Sequence, residues 1–346
     1  VMRFITTAML LMLSASCSGR EALDKAALMD PAACQTCHPD AYREWSGSMH
    51  AYASDDPVFI ALNTFAQRET EGAIGGLCVG CHAPMALHVG ATTDGLNIEQ
   101  VPRRFRGVTC YYCHQIDEIL GDHNAAVHLA DDNTFRGGIA DPQYTEAHGS
   151  GTESFHDGRN MDSSAICGTC HDVVLPWGLR LENTFAEWKE SVFASGPAAV
   201  SCAGCHMPGT KGTVAEVAGA RERRRHDHSM PGIDVALSPW PETSAQLEGI
   251  RRDLKRAIAA TLCVQPGNSG PEIVVILDNV LAGHSFPSGA THSRRAWVEV
   301  EAFDGGTRIF SSGVVDDRMP ITSLQDDNLW LMRSRIYDES GTEVHF

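Results

Sequence analysis

The stretch Cys34-Gln-Thr-Cys37-His38 is the first of five segments with the pattern Cys-x-x-Cys-His, and these segments decide how the chain is organised. We number them repeats one to five in chain order. The other four are Cys78-Val-Gly-Cys81-His82, Cys110-Tyr-Tyr-Cys113-His114, Cys167-Gly-Thr-Cys170-His171 and Cys202-Ala-Gly-Cys205-His206. In this pattern the two thiols form thioether bonds to a porphyrin, and the histidine that follows binds its iron as the proximal ligand. The sequence therefore predicts five covalently bound haem c groups.

Paired cysteines also occur in zinc sites and in redox-active dithiols. A structural zinc site needs four ligands with tetrahedral closure, and a redox dithiol needs only its two thiols. Neither requires a histidine directly after the second cysteine in all five repeats. The haem interpretation is therefore favoured over both alternatives.

The composition leaves little material for an ordinary core. Aromatic residues are 7% of the 346 residues, while glycine and proline number 32 and 16. We expect the porphyrins to supply much of the buried apolar area between residues 34 and 206, so that folding depends on haem attachment. Ten of the 12 cysteines lie in the repeats, which leaves Cys17 and Cys263. Cys263 is predicted to be a buried, inert thiol.

The formal net charge of −17 excludes one class of partner. Proteins that bind nucleic acid need basic surfaces, so we expect no nucleic-acid partner. An acidic surface favours docking to a basic redox partner protein, but it also serves solubility alone. The charge leaves both interpretations open.

Residues 1–17 are predicted to form an export signal. A basic Arg3 precedes an apolar run over residues 4–13, and small residues follow at 14–16. The run is too short for a membrane-spanning helix. Cys17 stands where a lipoprotein signal carries its lipid, the alternative being plain cleavage beside an incidental thiol. We expect an exported protein, periplasmic or attached through a Cys17 lipid to the outer membrane or cell surface.

The remaining chain is divided by its periodicity into three parts, which predict an α+β fold. Residues 18–240 form a loop-rich, mainly helical pentahaem cytochrome domain, with helices predicted at 39–49, 57–71 and 181–194 and a long loop at 121–161. Residues 241–266 read as one connecting helix, with Thr243 and Gln246 as a capping box.

Residues 267–346 are predicted to form a small antiparallel β-sandwich. A β-branched run covers 272–277, and an alternating run over 296–303 leads through a Gly-Gly turn into 307–315. A further pair of strands is expected at 329–337 and 342–346. Since the last strand runs to residue 346 without a closing turn, the sequence leaves open whether this β domain is complete.

The ligand on the distal side of each iron distinguishes an electron carrier from an enzyme. A distal histidine gives a low-spin haem that transfers electrons, whereas an open position allows substrate to bind. Eleven histidines outside the repeats are candidates: His50, His88, His123, His128, His148, His156, His226, His228, His284, His292 and His345.

Several segments resemble one family. Residues 34–50 contain the element W-x-x-S-x-H with Trp45, Ser48 and His50, and further similar segments are residues 167–173, 184–191, 202–208 and 283–289. Together they resemble multihaem cytochromes similar to the tetrahaem electron carrier that serves hydroxylamine oxidoreductase. The resemblance implies a haem-based electron carrier in which His50, His228 and His284 are distal ligands.

Two haems then remain without a distal ligand. His148 is the first choice and His128 the second, with His156 and His88 as rivals. Met85 and Met207 are conceivable thioether ligands, although methionine beside such a repeat more often serves packing.

Three functions remain for comparison. The leading hypothesis is electron transfer through five haems in single file, mostly with two histidine ligands. The alternative is a multihaem oxidoreductase that acts on a small nitrogen compound at one haem with an open position. A Cys-x-x-Cys-Lys repeat, one signature of nitrite reduction, is absent from the sequence. The third is a filament subunit that self-assembles so that haems of neighbouring copies stack.

Overall fold

The computed structural model describes residues 22–268, 270–316 and 318–344. The predicted export signal at 1–17, with Cys17, lies outside these residues. The chain mixes short helices with small, mostly antiparallel sheets, which agrees with the predicted α+β class at that level.

The helices of the described residues are short and concentrated in the first three quarters of the chain. They are α1 Lys25–Leu28, α2 Pro39–Gly47, α3 Met49–Tyr52, α4 Pro57–Glu69, α5 Leu77–His82, α6 Pro84–His88, α7 Cys110–Gln115, α8 Ser164–His171, α9 Thr184–Glu190, α10 Cys202–His206 and α11 Thr243–Ala257. The three helices predicted before residue 200 are confirmed as α2 with α3, α4 and α9. Short 3-10 turns lie at Pro31–Cys34, Ile98–Gln100, Arg103–Phe105, Ser154–His156, Met161–Ser163, Thr291–Ser293 and Ile321–Ser323.

The strands pair in twos. They are β1 Ile116–Ile119, β2 Val127–Leu129, β3 Thr134–Gly137, β4 Gly149–Thr152, β5 Asp172–Val174, β6 Arg180–Asn183, β7 Gly209–Thr213, β8 Glu222–His226, β9 Ile258–Gly267, β10 Gly270–Asn279, β11 Ala296–Trp297, β12 Val300–Asp304, β13 Thr307–Ser312, β14 Leu331–Met332, β15 Ile336–Tyr337 and β16 Glu343–Val344. Each ladder joins two strands, and only β3 with β4 is parallel among the described ladders. The segment 121–161, predicted as a loop, therefore contains β2, β3 and β4.

The core between residues 22 and 257 is divided into small apolar clusters. The largest contains Leu28, Met29, Met85, Tyr111, Tyr112 and Ile116. A second contains Val79, Ala83, Ala86, Ile98 and Val101. A third contains Ala66, Ile74 and Leu175. Each cluster lies beside the helix of a repeat, so the protein core surrounds the repeats without forming one continuous interior.

The predicted connecting helix over 241–266 is too long. Helix α11 ends at Ala257, and the chain continues as β9, which pairs with β10 along its whole length. The β-branched residues of this hairpin satisfy their backbone groups across the ladder, and this pairing overrides the helical periodicity.

Two local predictions in the same segment are also wrong. The capping box does not form, because the first turn starts from Glu242 in the left-handed region and Gln246 Nε2 donates to Ser229 O at 2.8 Å. Cys263 is exposed on β9. Its strand lies at the surface, so the burial expected from a helical face is lost.

In the part of the chain that the structure describes, the C-terminal strands form three hairpins and one ladder of β11 with β14, and they form no sandwich. The predicted Gly-Gly turn is confirmed, since Asp304 pairs with Thr307 across it, and β15 pairs with β16 as predicted. The strands from β9 onward remain in separate two-stranded ladders. Two packed sheets are therefore not observed there. Within the described ranges, no helix has the length and apolar character needed to cross a membrane.

Candidate haem sites

The repeats lie in short helical turns, and in repeats three and five the residue before the first cysteine caps the start of the turn. Thr109 accepts a hydrogen bond from Tyr112 N at the start of α7, and Ser201 does the same for Gly204 N at the start of α10. Repeats two and four lie at the ends of α5 and α8. In repeat one His38 N donates to Cys34 O at 2.8 Å, so this turn is helical as well. One turn brings both sulfurs and the imidazole to the same side, as thioether attachment requires.

Four of the five repeat histidines share one hydrogen-bonding arrangement. Nδ1 lies 2.7 Å from Val214 O in His38, 2.9 Å from Ala53 O in His82, 2.6 Å from Arg136 O in His114 and 2.9 Å from Pro231 O in His206. A carbonyl oxygen only accepts, so Nδ1 carries the proton and Nε2 keeps its lone pair. Histidines that bind a metal are typically held in this way, because the carbonyl fixes both the tautomer and the ring orientation.

Three repeat histidines face a second histidine from a distant part of the chain. The ring centroids are 6.2 Å apart in His38 and His148, 6.1 Å in His171 and His50, and 6.5 Å in His114 and His228. Two imidazoles that bind one iron from opposite sides have centroids about 6 Å apart, given metal–nitrogen bonds of roughly 2 Å. The spacing of these pairs fits an iron between the rings.

Three of the predicted distal histidines repeat the carbonyl arrangement. Nδ1 lies 2.8 Å from Gly149 O in His148, 2.9 Å from His226 O in His228 and 2.8 Å from Ser285 O in His284. His284 also lies near His206, whose charge contributes to its lowered pKa after burial. The ring distances thus bring predicted distal ligands toward repeats one, three and four.

Burial keeps these imidazoles uncharged. It lowers the pKa of His50, His171 and His228 to about 4 in each case, and neighbouring histidines lower it further. The neutral ring is the form that binds a metal. At neutral pH these side chains therefore already have the electronic state that iron ligation needs.

The W-x-x-S-x-H element is a local device that presents His50. Trp45 Nε1 donates to Val108 O at 2.7 Å, and Ser48 caps α3 by accepting from Ala51 N at 3.2 Å. Val108 N donates to His50 O at 2.8 Å. Val108, just before repeat three, therefore bonds to both Trp45 and His50. His50 Nδ1 is buried without a hydrogen-bond partner. The backbone on both sides of the ring is therefore held by hydrogen bonds, while Nδ1 is left without a partner.

His128 is not brought to any repeat. It lies on the exposed hairpin of β1 and β2, where Nδ1 is 2.6 Å from Asp117 Oδ1. Because side chains alternate between the two faces of a strand, His128 points to the exposed face of β2. No local pattern predicted its contact with Asp117. His128 is thus better explained as a surface residue than as a distal ligand.

Two aromatic contacts were not predicted. His156, a rival candidate in the sequence, has its ring stacked on His114 at 5.7 Å with an interplanar angle of 7°. Phe59 stacks on His82 at 4.3 Å. Phe59 lies against the face of the repeat-two imidazole. The 5.7 Å separation of His156 and His114 also meets the spacing of about 6 Å expected for two ligands of one iron, so His156 is a second candidate beside His228 at repeat three. No sequence pattern distinguishes such a ring from an ordinary core residue.

Zinc is not supported as the occupant. Among the described residues no group of three or more His, Cys, Asp or Glu side chains is arranged to hold a metal ion directly. The cysteines of the described ranges are also free of disulfide bonds. The donor set instead consists of thiol pairs for covalent attachment with single imidazoles, which fits a porphyrin that supplies the other four iron ligands.

Comparison with known proteins agrees with this donor set. Residues 33–115, which include repeats one to three, match the family described as cytochrome c554 and c-prime. The match supports a c-type cytochrome family, with haem c as cofactor and haem-based electron transfer as the general function. No curated protein and no solved structure matches the chain.

Proposed function

We propose that this chain is a pentahaem c-type cytochrome that transfers electrons between redox partner proteins. The observation that carries the proposal is the set of histidine pairs about 6 Å apart, in which most Nδ1 atoms are bonded to backbone carbonyls. Haem iron, when bound, accepts and releases one electron by cycling between its ferric and ferrous states.

The polypeptide would hold each haem through its own repeat. The thiol pairs of repeats one to five form the thioether bonds, and His38, His82, His114, His171 and His206 bind the iron on the proximal side. On the distal side we assign His148 to repeat one, His228 to repeat three, His50 to repeat four and His284 to repeat five. Carbonyl bonds to Nδ1 make the imidazoles better donors, which favours the ferric state and lowers the reduction potential.

The acidic surface suits this role. A net charge of −17 attracts a basic partner over a distance set by ionic strength, so electron exchange should slow as salt is added. Export follows from the cofactor class, since cytochromes of this kind are typically exported. Attachment through a lipid on Cys17 and self-assembly of copies remain parts of the proposal that mass spectrometry and sizing of the mature protein would test.

Mass spectrometry and electron paramagnetic resonance test the main proposal. The mature protein should exceed its polypeptide mass by five porphyrins, and the oxidised protein should show mainly low-spin ferric signals. A mass equal to that of the amino acids alone would reject the proposal. A large high-spin signal with all five haems present would favour the oxidoreductase alternative, because it reports an iron that is open to substrate.

A further inference from the structure

We propose that the second half of helix α11, together with the exposed edge of repeat five, forms a docking surface for an acidic redox protein. This inference rests on the proposed function, because it names a partner that exchanges electrons with the haem of repeat five. It adds a partner of opposite charge to the basic one that the net charge of −17 suits.

The second half of α11 is basic, although the chain as a whole is acidic. Four basic and two acidic residues lie between positions 248 and 256. The basic ones, which we call the basic face, are all exposed: Arg251, Arg252, Lys255 and Arg256. Arg252 pairs with Asp253 at 2.9 Å, whereas the other three form no ion pair in the part of the chain that the structure describes. Their charges are therefore available to an acidic partner.

Further acidic groups lie near the start of the helix. A groove there is lined by Glu44, Asp227 and Glu242, together with Arg43 and Arg252. Arg43 pairs with Glu242 at 3.5 Å, so charges of both signs meet in this groove. The helix has 15 residues and is about 22 Å long, while the Debye length at physiological ionic strength is only about 8 Å. A partner in contact with the second half therefore responds mainly to the basic face.

The buried face of α11 rests on the segment that holds repeat five. Pro231 O accepts a hydrogen bond from His206 Nδ1 at 2.9 Å. The ring of Pro231 packs on Gly249, where an added Cβ would lie 3.1 Å from Pro231 Cβ. Gln246 Nε2 also donates to Ser229 O at 2.8 Å. One short loop thus contacts both the proximal imidazole and the helix, so the basic face is held beside the haem site.

The attachment site of repeat five opens to the surface. Cys205 is exposed, whereas the other nine cysteines of the repeats are half-buried. It directly precedes His206, whose ring is bonded to the loop under α11. Electrons pass between two proteins most readily where their cofactors approach closely. The basic face therefore lies beside the repeat whose edge is best placed for that approach.

An anionic lipid surface is the other partner that basic side chains fit. Helices that lie in a membrane surface bury a broad apolar face in the lipid. In α11, Ile250 and Ala257 are instead buried against the protein, and Leu254 is its one large apolar side chain that is exposed, at 40%. A single exposed leucine beside a haem site fits a protein interface better than a lipid interface.

Calorimetric binding of an acidic plant-type 2Fe–2S ferredoxin to the haem-loaded full chain tests the surface. The affinity should fall about tenfold or more between about 20 and 200 mM salt, because ion pairs across the interface are screened. The double variant Arg251→Glu with Lys255→Glu should bind at least about tenfold more weakly at low salt. The control Arg68→Glu with Arg318→Glu changes the net charge equally at exposed positions elsewhere. Its affinity should change by less than about threefold.

Three results would overturn the inference: no measurable binding of the wild type at low salt, an affinity that rises with salt, or equal losses in the variant and its control. Tighter binding to phosphatidylserine vesicles than to ferredoxin, lost in the α11 variant, would also overturn it and assign the surface to a membrane. Intact mass and visible spectra establish beforehand that each protein retains five haems. If charge reversal prevents folding, Arg251→Gln with Lys255→Gln is compared with Arg68→Gln and Arg318→Gln.

Stopped-flow reduction separates this inference from the proposed function. One electron passes from the reduced 2Fe–2S cluster to a ferric haem, and its rate at low salt should fall about tenfold in the α11 variant. Dithionite, a small reductant, should reduce wild type and variant at rates within about threefold of each other. Equal ferredoxin rates in the two proteins would overturn the docking surface and leave the proposed function intact. Haems that dithionite does not reduce would instead contradict the proposed function.

Discussion

Two regions of this chain are ordered in different ways. Residues 22–257 contain nearly all the buried apolar side chains, whereas beyond residue 257 the described residues contribute only Ile321 to that set. The described residues beyond 257 also expose large apolar side chains, among them Leu262, Val264, Ile276, Trp297, Phe303, Ile309, Trp330 and Tyr337. The first region is held by packing around the repeats, and the second by hydrogen bonds between neighbouring strands.

The two regions differ in how far apart in sequence their contacting segments lie. The contacts that build the haem sites join distant segments, such as α3 with α8 and the repeat-one histidine with the strand region near Gly149. The hairpins join strands that are adjacent in sequence. A change in the first region should therefore disturb a site or the whole fold, while a comparable change in the second should be tolerated.

The largest effect is expected from removing an attachment cysteine in the first region. Cys110→Ala should leave a chain that lacks at least one porphyrin and is rapidly degraded, because the apolar clusters alone bury too little surface. Limited proteolysis and intact mass measure this. The exposed Cys263→Ala is the matched control, and it should retain both mass and protease resistance. A stable, fully folded Cys110→Ala chain without the porphyrin would contradict the expectation that folding of residues 22–257 depends on haem attachment.

Loss of a distal ligand should have a smaller, local effect. His50→Ala removes the ring that faces His171 at 6.1 Å, so one haem in five should become high-spin and bind an added ligand such as cyanide. His128→Ala, on the exposed hairpin, should leave the resonance spectrum unchanged. If His128→Ala produced the high-spin signal and His50→Ala did not, the assignment of the distal ligands would be reversed.

A glycine substitution tests the close backbone packing that holds His50 in place. Gly107 has φ of +68°, and a Cβ there would lie 2.5 Å from Ala51 O and 2.7 Å from His50 O. Gly107→Ala should lower the free energy of unfolding by about 2 kcal/mol or more, from left-handed strain and the clash with backbone. In the hairpin turn, Gly306 has no atom within 4 Å of its added Cβ. Gly306→Ala should change stability by less than about 0.5 kcal/mol. Chemical denaturation compares the two, and similar losses would erase the distinction between the regions.

The smallest effect concerns a carboxyl between repeats two and four. Burial raises the pKa of Glu182 from its ordinary value of 4.5 to about 7, with nearby Arg294 opposing and Asp172 adding to the shift. Between these values the folded state holds a proton that the unfolded state has released, so stability falls as pH rises from about 4.5 to 7. The new negative charge should also lower the potentials of the adjacent haems over this range.

Glu182→Gln should remove that pH dependence, because the amide does not titrate. Potentiometric titrations at pH 5, 6, 7 and 8 compare the variant with the wild type. Asp338→Asn, far along the chain in the last described hairpin, serves as the control and should keep the wild-type slope. A slope unchanged in Glu182→Gln would assign the effect to another group.

The accuracy of the sequence-based predictions follows the range of the interactions. The turn around Gly305, the strands of 272–277 and the helix of 57–71 depend on near neighbours, and they were found as predicted. The helix over 241–266 failed because a strand partner beyond its end competes for residues 258–267. The contact of His128 with Asp117 on the hairpin was not predicted, because no local pattern shows which residue lies across the ladder.

The sequence by itself determined the cofactor class and predicted the proximal ligands, because attachment chemistry is contained within five consecutive residues. It also determined the likeness through which His50, His228 and His284 were expected on the distal side. Only the tertiary structure decided which imidazoles lie about 6 Å apart and which carbonyl oxygens bond to their Nδ1 atoms. Those facts depend on contacts between segments far apart in the chain, whose packing no local pattern encodes.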